Sequence, residues 1–554
     1  MRTRRTPRRL FLAWIALATV LVAAWRFASD SLSMDPLIPY VERAAEDGLA
    51  GLEVDLGSLR TAWGGWRHGM NFVASDVSLR AGDVAVRVPE VILTLSLRAL
   101  VHGHLAPTRL EVRGVEGKVI RDRNGRIRLF ALDSGRVQPV GAPALQRLLE
   151  DLGTAPDPSR PLTYMRSFLL RDASFVVEDQ VLGVVSSARQ IDVNLDSADT
   201  PELAVAGEYR ASVQLTDHEA VIDGTLRFDS ESKLLRLQSR FAGIPADAIG
   251  SRIPAARAAA RIRADVDGSV DLGISLTGSV HDVAFSFACQ PGLLSVPGWL
   301  DEPEPFRRLS ARARFDRIRG SWQVDEAALG LGTDESPGPT LSMSAATGDA
   351  AQLARREVVA ALAIDGLEVA DLGRLWPEEM LPTTRKWVVE RVLRGELPKV
   401  AAEAKLKLPD ESTNEIELTQ LRGRFTYRDL TIRWNDEAPA ITAIDGDVDF
   451  EKNALRFAVE EARIGSVAVG PGRVDLLELD RNPGRIEIDV RGSGPLADVL
   501  RSVNLRLPPF LPASGNDSET ASAPTSFAAN IGFRIGTQLR FPHFALEVAA
   551  GDTD

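Results

Sequence analysis

The feature that most constrains this chain is a two-residue alternation of apolar and polar side chains, repeated in short runs. Ile486, Ile488 and Val490 alternate with Arg485, Glu487 and Asp489, and Ala404, Leu406 and Leu408 with Glu403, Lys405 and Lys407. Ile222, Leu226 and Phe228 alternate with Asp223, Thr225 and Arg227, and Leu272, Ile274 and Leu276 with Asp271, Ser275 and Thr277. Ile262, Ala264 and Val266 alternate with Arg261, Arg263, Asp265 and Asp267. Successive side chains of a strand point to opposite faces, so each run makes a strand with one apolar and one wet face. The runs recur with Gly, Asp or Asn between them, which predicts antiparallel meanders rather than strand–helix–strand units. Helical segments are few, at 36–49, 144–152, 369–375, 382–394 and 495–503. In the helix expected at 382–394, Pro382 suits the first turn, Val388 and Val392 share a face, and Gly395 stands where a C-terminal cap belongs.

This alternation sets a packing problem, because a one-sided sheet must hide its apolar face. The face can pack on a second sheet, close into a barrel, or line a groove that holds an apolar ligand, and periodicity leaves all three open. The chain has 44% hydrophobic and 26% charged residues, with a mean hydropathy near zero. That balance excludes a disordered chain and a multi-pass membrane protein. Its 554 residues call for several modules. Polar stretches at 153–161, 332–340 and 513–526 suggest modules at 32–152, 162–331 and 341–511, with an incomplete β module at 527–554. Residues 513–526 lack apolar periodicity and read as a disordered linker.

The N-terminus carries a membrane signal. Residues 10–25 contain no charge, and Leu10, Phe11, Trp14, Ile15, Leu17, Val20, Leu21 and Trp25 supply an apolar body. A bilayer core takes about 20 apolar residues. The run is slightly short, but Arg9 and Arg26 can snorkel, and a span of 10–28 suffices. Arg2, Arg4, Arg5, Arg8 and Arg9 make residues 1–9 a basic cytoplasmic head and send the remainder across. A cleaved signal peptide is the main alternative, but Trp25, Arg26 and Phe27 stand where small residues should precede cleavage. Arg8-Arg9 followed by Leu10, Phe11 and Leu12 also resembles a twin-arginine export signal, and a buried soluble helix is the remaining reading. The net charge of −12 thus divides into a basic head and an acidic body. That acidity gives no reason to expect a nucleic-acid partner.

The search for catalytic chemistry is negative. A single cysteine, Cys289, excludes an intramolecular disulfide and a zinc site built on paired cysteines. His102 and His104 are the one close histidine pair, without a third ligand nearby. No nucleophile elbow, zinc-protease helix or phosphate loop occurs. Asp265, Asp267 and Asp271, and Asp445, Asp447 and Asp449, superficially resemble calcium loops but lack EF-hand spacing. They read as a turn and the wet face of a strand. No catalytic residue, metal ligand or cofactor is assigned, and an enzyme is not expected.

One segment is distinctive. Trp376-Pro377 leads to Leu381-Pro382, Arg385, Trp387 and Gly395, and further on come Phe425, Pro439, Gly446, Phe450 and Gly492-Ser493-Gly494-Pro495. This succession resembles the central domain of the YhdP branch of AsmA-like proteins. Leu32 to Leu37, Val54 to Gly57, and Trp63-Gly64-Gly65-Trp66 are similar to the N-terminal region of that family. The resemblance implies a bacterial inner-membrane protein with one N-terminal helix and a periplasmic body. It implies a mainly β fold, an elongated twisted antiparallel sheet forming an apolar groove. That groove would carry phospholipid acyl chains toward the outer membrane, with other envelope proteins as further partners. A non-catalytic scaffold for outer-membrane biogenesis, with a dry β core, is the alternative. The family has no agreed catalytic residues, so the motif residues are read as structural. Family members usually continue beyond residue 554 into a further AsmA-like part, so either the gene model is truncated or this member is short.

Overall fold

The computed structural model describes residues 32–48, 53–63, 70–81, 84–95, 106–124, 126–133, 136–139, 142–157, 160–198, 205–215, 218–296, 300–316, 321–347, 357–378, 382–407, 417–433, 439–479, 484–495, 498–499, 524–534 and 543–550. The expected anchor residues Leu10 to Trp25, motif residue Leu381 and the linker core 513–523 lie outside them. Among the described residues no helix is long and apolar enough to cross a membrane.

The first half runs β1 (Leu32–Ser33), α1 (Ile38–Gly48), β2 (Glu53–Trp63), β3 (Met70–Ala81), β4 (Val84–Leu95), β5 (Pro107–Arg113), β6 (Glu116–Arg121), β7 (Ile127–Asp133) and β8 (Arg136–Pro139). It continues with α2 (Ala142–Leu152), β9 (Ser167–Asp179), β10 (Val184–Ser197), β11 (Val205–Leu215), β12 (His218–Asp229), β13 (Leu234–Pro245), α3 (Ala246–Arg252), β14 (Ile262–Arg263), β15 (Asp265–Ser275) and β16 (Val280–Cys289). The second half runs β17 (Gly292–Val296), β18 (Leu300–Asp316), β19 (Ser321–Gly332), β20 (Pro337–Ala346), β21 (Glu357–Glu368), α4 (Val369–Leu375), α5 (Pro382–Arg391), β22 (Val392–Lys407) and β23 (Glu417–Ile432). It ends with β24 (Ile441–Glu451), β25 (Ala454–Ile464), β26 (Val467–Val469), β27 (Gly472–Leu477), β28 (Arg485–Pro495), β29 (Pro524–Arg534) and β30 (His543–Ala550). The expectation of a mainly β chain with few short helices holds.

The chain divides into two compact units. The first is Met1–Ala260 with Asp265–Phe285, and the second is Arg261–Ala264 with Ser286–Asp554. In the first unit, β2, β3, β4 and β5 pair in sequence, as do β9, β10, β11, β12, β13 and β15, all antiparallel except at one place. There β5 and β6 both run parallel to β9. A wholly antiparallel sheet, as the alternation predicts, is therefore not what forms. The two short strands are halves of one line, broken at Gly114, whose φ of 69° suits glycine. Gly114 N donates to Arg171 O, and Ser174 N to Val115 O, so the line stays stitched to β9 across the break. A parallel pair needs a long crossover, and α2 supplies part of it.

The second unit is antiparallel throughout, from β17 and β18 through β25, β27, β28, β29 and β30. Three local expectations need correction. Helix α5 ends at Arg391 and β22 begins at once, so Gly395 is not a helix cap and Val392 lies on a strand. Gly395 has a φ of 137°, and a Cβ there would sit 2.4 Å from Leu430 Cδ2; close approach to β23 at a run of register shifts is what requires glycine. The run 261–267 is not one strand, because β14 pairs with β17 while β15 pairs with β13. The polar stretch 332–340 is a tight β19–β20 turn, in which Gly332 faces Pro337 and Thr333 N donates to Ser336 O. Helix α3 and the following 3₁₀ turn Pro254–Arg261 were not expected. Their apolar side chains are mostly alanines, which give a weak signal in the sequence.

Candidate functional site

The site is built by register. Residues facing each other across a strand pair share a sheet face. In the second unit one chain of partners runs Leu309, Leu329, Leu341, Ile364, Val400, Phe425, Val448, Phe457, Val474, Ile488 and Ile531. Two residues along each strand a second chain runs Ala311, Ala327, Met343, Leu362, Ala402, Gly423, Phe450, Leu455, Leu476 and Ile486. Every member is apolar. The rows run across the strands, in the direction in which a sheet grows. At about 4.8 Å per strand they follow roughly 48 Å of contour, and a two-residue step makes the band about 7 Å wide.

The first unit has the same device. Phe72, Leu93, Leu110, Phe168, Leu195, Gly207, Leu226, Leu237 and Leu272 form one row across the parallel junction. Leu59, Ala74, Val91, Val112, Leu170, Val193 and Tyr209 form its neighbour.

These faces are covered only in places. In the first unit Leu149 and Leu152 of α2 pack with Leu195, Val205 and Phe228. In the second, Val369 and Leu372 of α4, with Val499, join Tyr427, Val448, Val467 and Phe527. Val448 and Val467 are 0% exposed, which an uncovered single layer cannot achieve. An aromatic group of Phe425, Tyr427, Phe450 and Phe457, with ring centroids 6.1–6.5 Å apart, fills this closed end. Burial raises the Tyr427 hydroxyl far above its ordinary pKa, with Asp447 adding to the effect, so it stays protonated and donates to Ala458 O at 3.2 Å. Elsewhere the row is open: Met343 is 43% exposed and Leu362 39%. A wide depression of about 860 Å³ lies on the other side of the same strands, among Ala361, Ala363, Ala401, Glu403, Arg422, Arg424 and Asp449.

The opposite face is charged and internally paired. Arg424 forms a two-pronged pair with Asp449 at 2.7 and 2.9 Å, and Arg422 pairs with Glu403. That pairing holds Asp449 below its ordinary pKa. Thr426 donates to Asp447, and Asp429 N to Asp445. In the first unit Asp267 accepts from Gly243 N, while Asp271 accepts from Arg236 and Gln238. The two acidic clusters are thus strand faces and turn acceptors. Among the described residues, no group of His, Cys, Asp and Glu is placed to hold a metal ion.

Sequence reasoning missed one recurrent feature, a glycine facing an aromatic ring across a strand pair. Phe175 lies over Gly117, Tyr209 over Gly224, Phe450 over Gly423, Tyr427 over Gly446 and Phe527 over Gly492. A Cβ on Gly446 would stand 2.0 Å from Ala458 O and 2.6 Å from Tyr427 Oη. These glycines let the rings lie flat on the apolar face, and glycine inside a strand was the available signal.

The other motif residues take structural places. Arg385, on α5, donates from Nε to Trp376 O and from Nη2 to Gly373 O, each at 2.7 Å. It thereby caps the last carbonyls of α4, where a cation is favoured. Trp376 N donates to Leu372 O, Pro377 ends that helix and Pro382 lies in the first turn of α5. Trp387 is exposed on α5, and Pro439 is exposed just before β24. The motif marks a helix-pair joint and a glycine–tyrosine pair. Neither meets at a cleft with reactive groups.

The fold and the site therefore define a β-sheet protein with an extended, partly open apolar face. Residues 255–505 match the family described as YhdP protein, so that stretch is similar to this family. No curated protein and no solved structure matches the chain.

Proposed function

We propose that the chain is an inner-membrane-anchored periplasmic protein that carries or bridges phospholipid toward the outer membrane, without catalysing a reaction. The observation that carries this reading is the pair of unbroken apolar rows in each unit, exposed in the second at Met343 and Leu362 and backed there by a charged face. An acyl chain laid along such a band gains roughly 0.8 kcal/mol per buried CH₂. No reactive group is needed for that, only a continuous lining. The YhdP match supports it, since that family is associated with envelope lipid transport. The anchor at 10–28 would keep the body beside its lipid source.

A photo-reactive residue at Ile364, on the row, is expected to crosslink phospholipid in cells, while one at Ala363, on the opposite face, is not. Native mass spectrometry of the same protein should find co-purifying phospholipid. A folded, lipid-free protein with no adduct at Ile364 would refute the proposal and favour a scaffold with a dry core.

A further inference from the structure

The outer edge of β2 is closed in an unusual way. A free strand edge offers N–H groups to any passing strand, and proteins protect such edges. Here three edge N–H groups donate to carboxylates. Leu59 N reaches Asp35 Oδ1 at 3.0 Å, Leu56 N reaches Glu42 Oε1 at 2.9 Å and Val54 N reaches Glu46 Oε1 at 3.3 Å. Glu42 and Glu46 both stand on α1.

The spacing explains why a helix can do this. Residues four apart on a helix are separated by about 6 Å along its axis, and residues two apart on a strand by about 6.6 Å. Glu42 and Glu46, four apart, therefore match the N–H groups of Leu56 and Val54, two apart and taken in reverse order. Beyond them β1 pairs with β2 at Leu32–Thr61 and Ser33–Arg60, and Met34 N donates to Leu59 O. A two-residue strand, a carboxylate and then a helix carboxylate pair thus follow one another along a single edge. Helix α1 has its own hold on the sheet: Ile38 and Val41 pack against the core of Val54, Leu56, Leu59, Ala74, Val77 and Val88.

We propose that α1 is an edge guard, whose Glu42 and Glu46 carboxylates replace the carbonyls of a neighbouring strand and hold β2 closed to strand addition. Hydrogen exchange and mass photometry on the full chain in detergent test this with two paired variants. In Glu42→Ala/Glu46→Ala, exchange at the Val54 and Leu56 amides is expected to rise at least tenfold. Leu59, held by Asp35, and Val73, on β3, should keep wild-type rates, and oligomers should appear. In Glu42→Gln/Glu46→Gln the amide oxygens still accept, so exchange and mass should stay at wild-type values. Unchanged exchange at Leu56 in the alanine variant would overturn the proposal. So would equal acceleration at Val73, which would make α1 part of the core, or opening in the glutamine variant as large as in the alanine one.

Discussion

Leu362→Asp tests the apolar row most directly. Leu362 pairs with Met343 on one side and Ala402 on the other, and is 39% exposed. Full burial of a leucine side chain is worth about 1.5–3 kcal/mol, so its buried part supplies about 1–2 kcal/mol. A loss of that size should leave the unit folded. The cost to a bound acyl chain is larger, because an ionised carboxylate placed against hydrocarbon loses several kcal/mol of hydration. At roughly 3 kcal/mol, affinity falls about a hundredfold. The control is Ala361→Asp, which faces Glu403 and Ser344 on the opposite side. Native mass spectrometry would count phospholipid per chain, and urea denaturation would check the fold. The expected result is near-complete loss of lipid in Leu362→Asp and wild-type lipid in Ala361→Asp. Equal losses in both, or full lipid in folded Leu362→Asp, would refute the assignment of this face.

Gly446→Ala should destabilise the second unit by about 1–3 kcal/mol in urea denaturation, because the new methyl group overlaps Ala458 O and the Tyr427 ring. Arg385→Ala should cost about 2–4 kcal/mol through loss of two charge-assisted bonds to the end of α4, with Arg385→Lys restoring only part, since a point charge cannot reach both carbonyls at once. Glu111 gives a pH signature: burial pushes its carboxyl up, but hydrogen bonds from Arg113 and Arg109 outweigh this and hold it below its ordinary 4.5. Its contribution to stability is thus complete above about pH 4.5 and is lost as pH falls through the lower, folded-state value, so Glu111→Gln should flatten the acid limb of a stability–pH curve.

Much of this fold was legible in the sequence. Alternation at 485–490 and 403–407 fixed strand positions and which side chains share a face, since the period of two is a property of the extended backbone itself. Helices α1, α2 and α4 were visible as apolar stripes or short turns between strand runs. The end of α5 was misread because a glycine after a helix has two uses. At Gly395 the deciding factor is Leu430, which lies 35 positions further along the chain. The parallel junction at β5, β6 and β9 was equally invisible, because alternation says nothing about which strand lies alongside or in which direction it runs.

What the sequence determined alone is therefore the alphabet of the site: one-sided strands, few helices and an N-terminal apolar run. Only tertiary structure decided that Leu341, Ile364, Val400 and Phe425 stand side by side, because register is set by pairing between distant segments. It also decided where the apolar face is closed, around Val448 and Tyr427, and where it is open, at Met343 and Leu362. Each of these residues is an ordinary inward-facing strand position in the sequence. Its exposure depends on whether a helix or another part of the same face packs over it, and that is fixed by long-range packing.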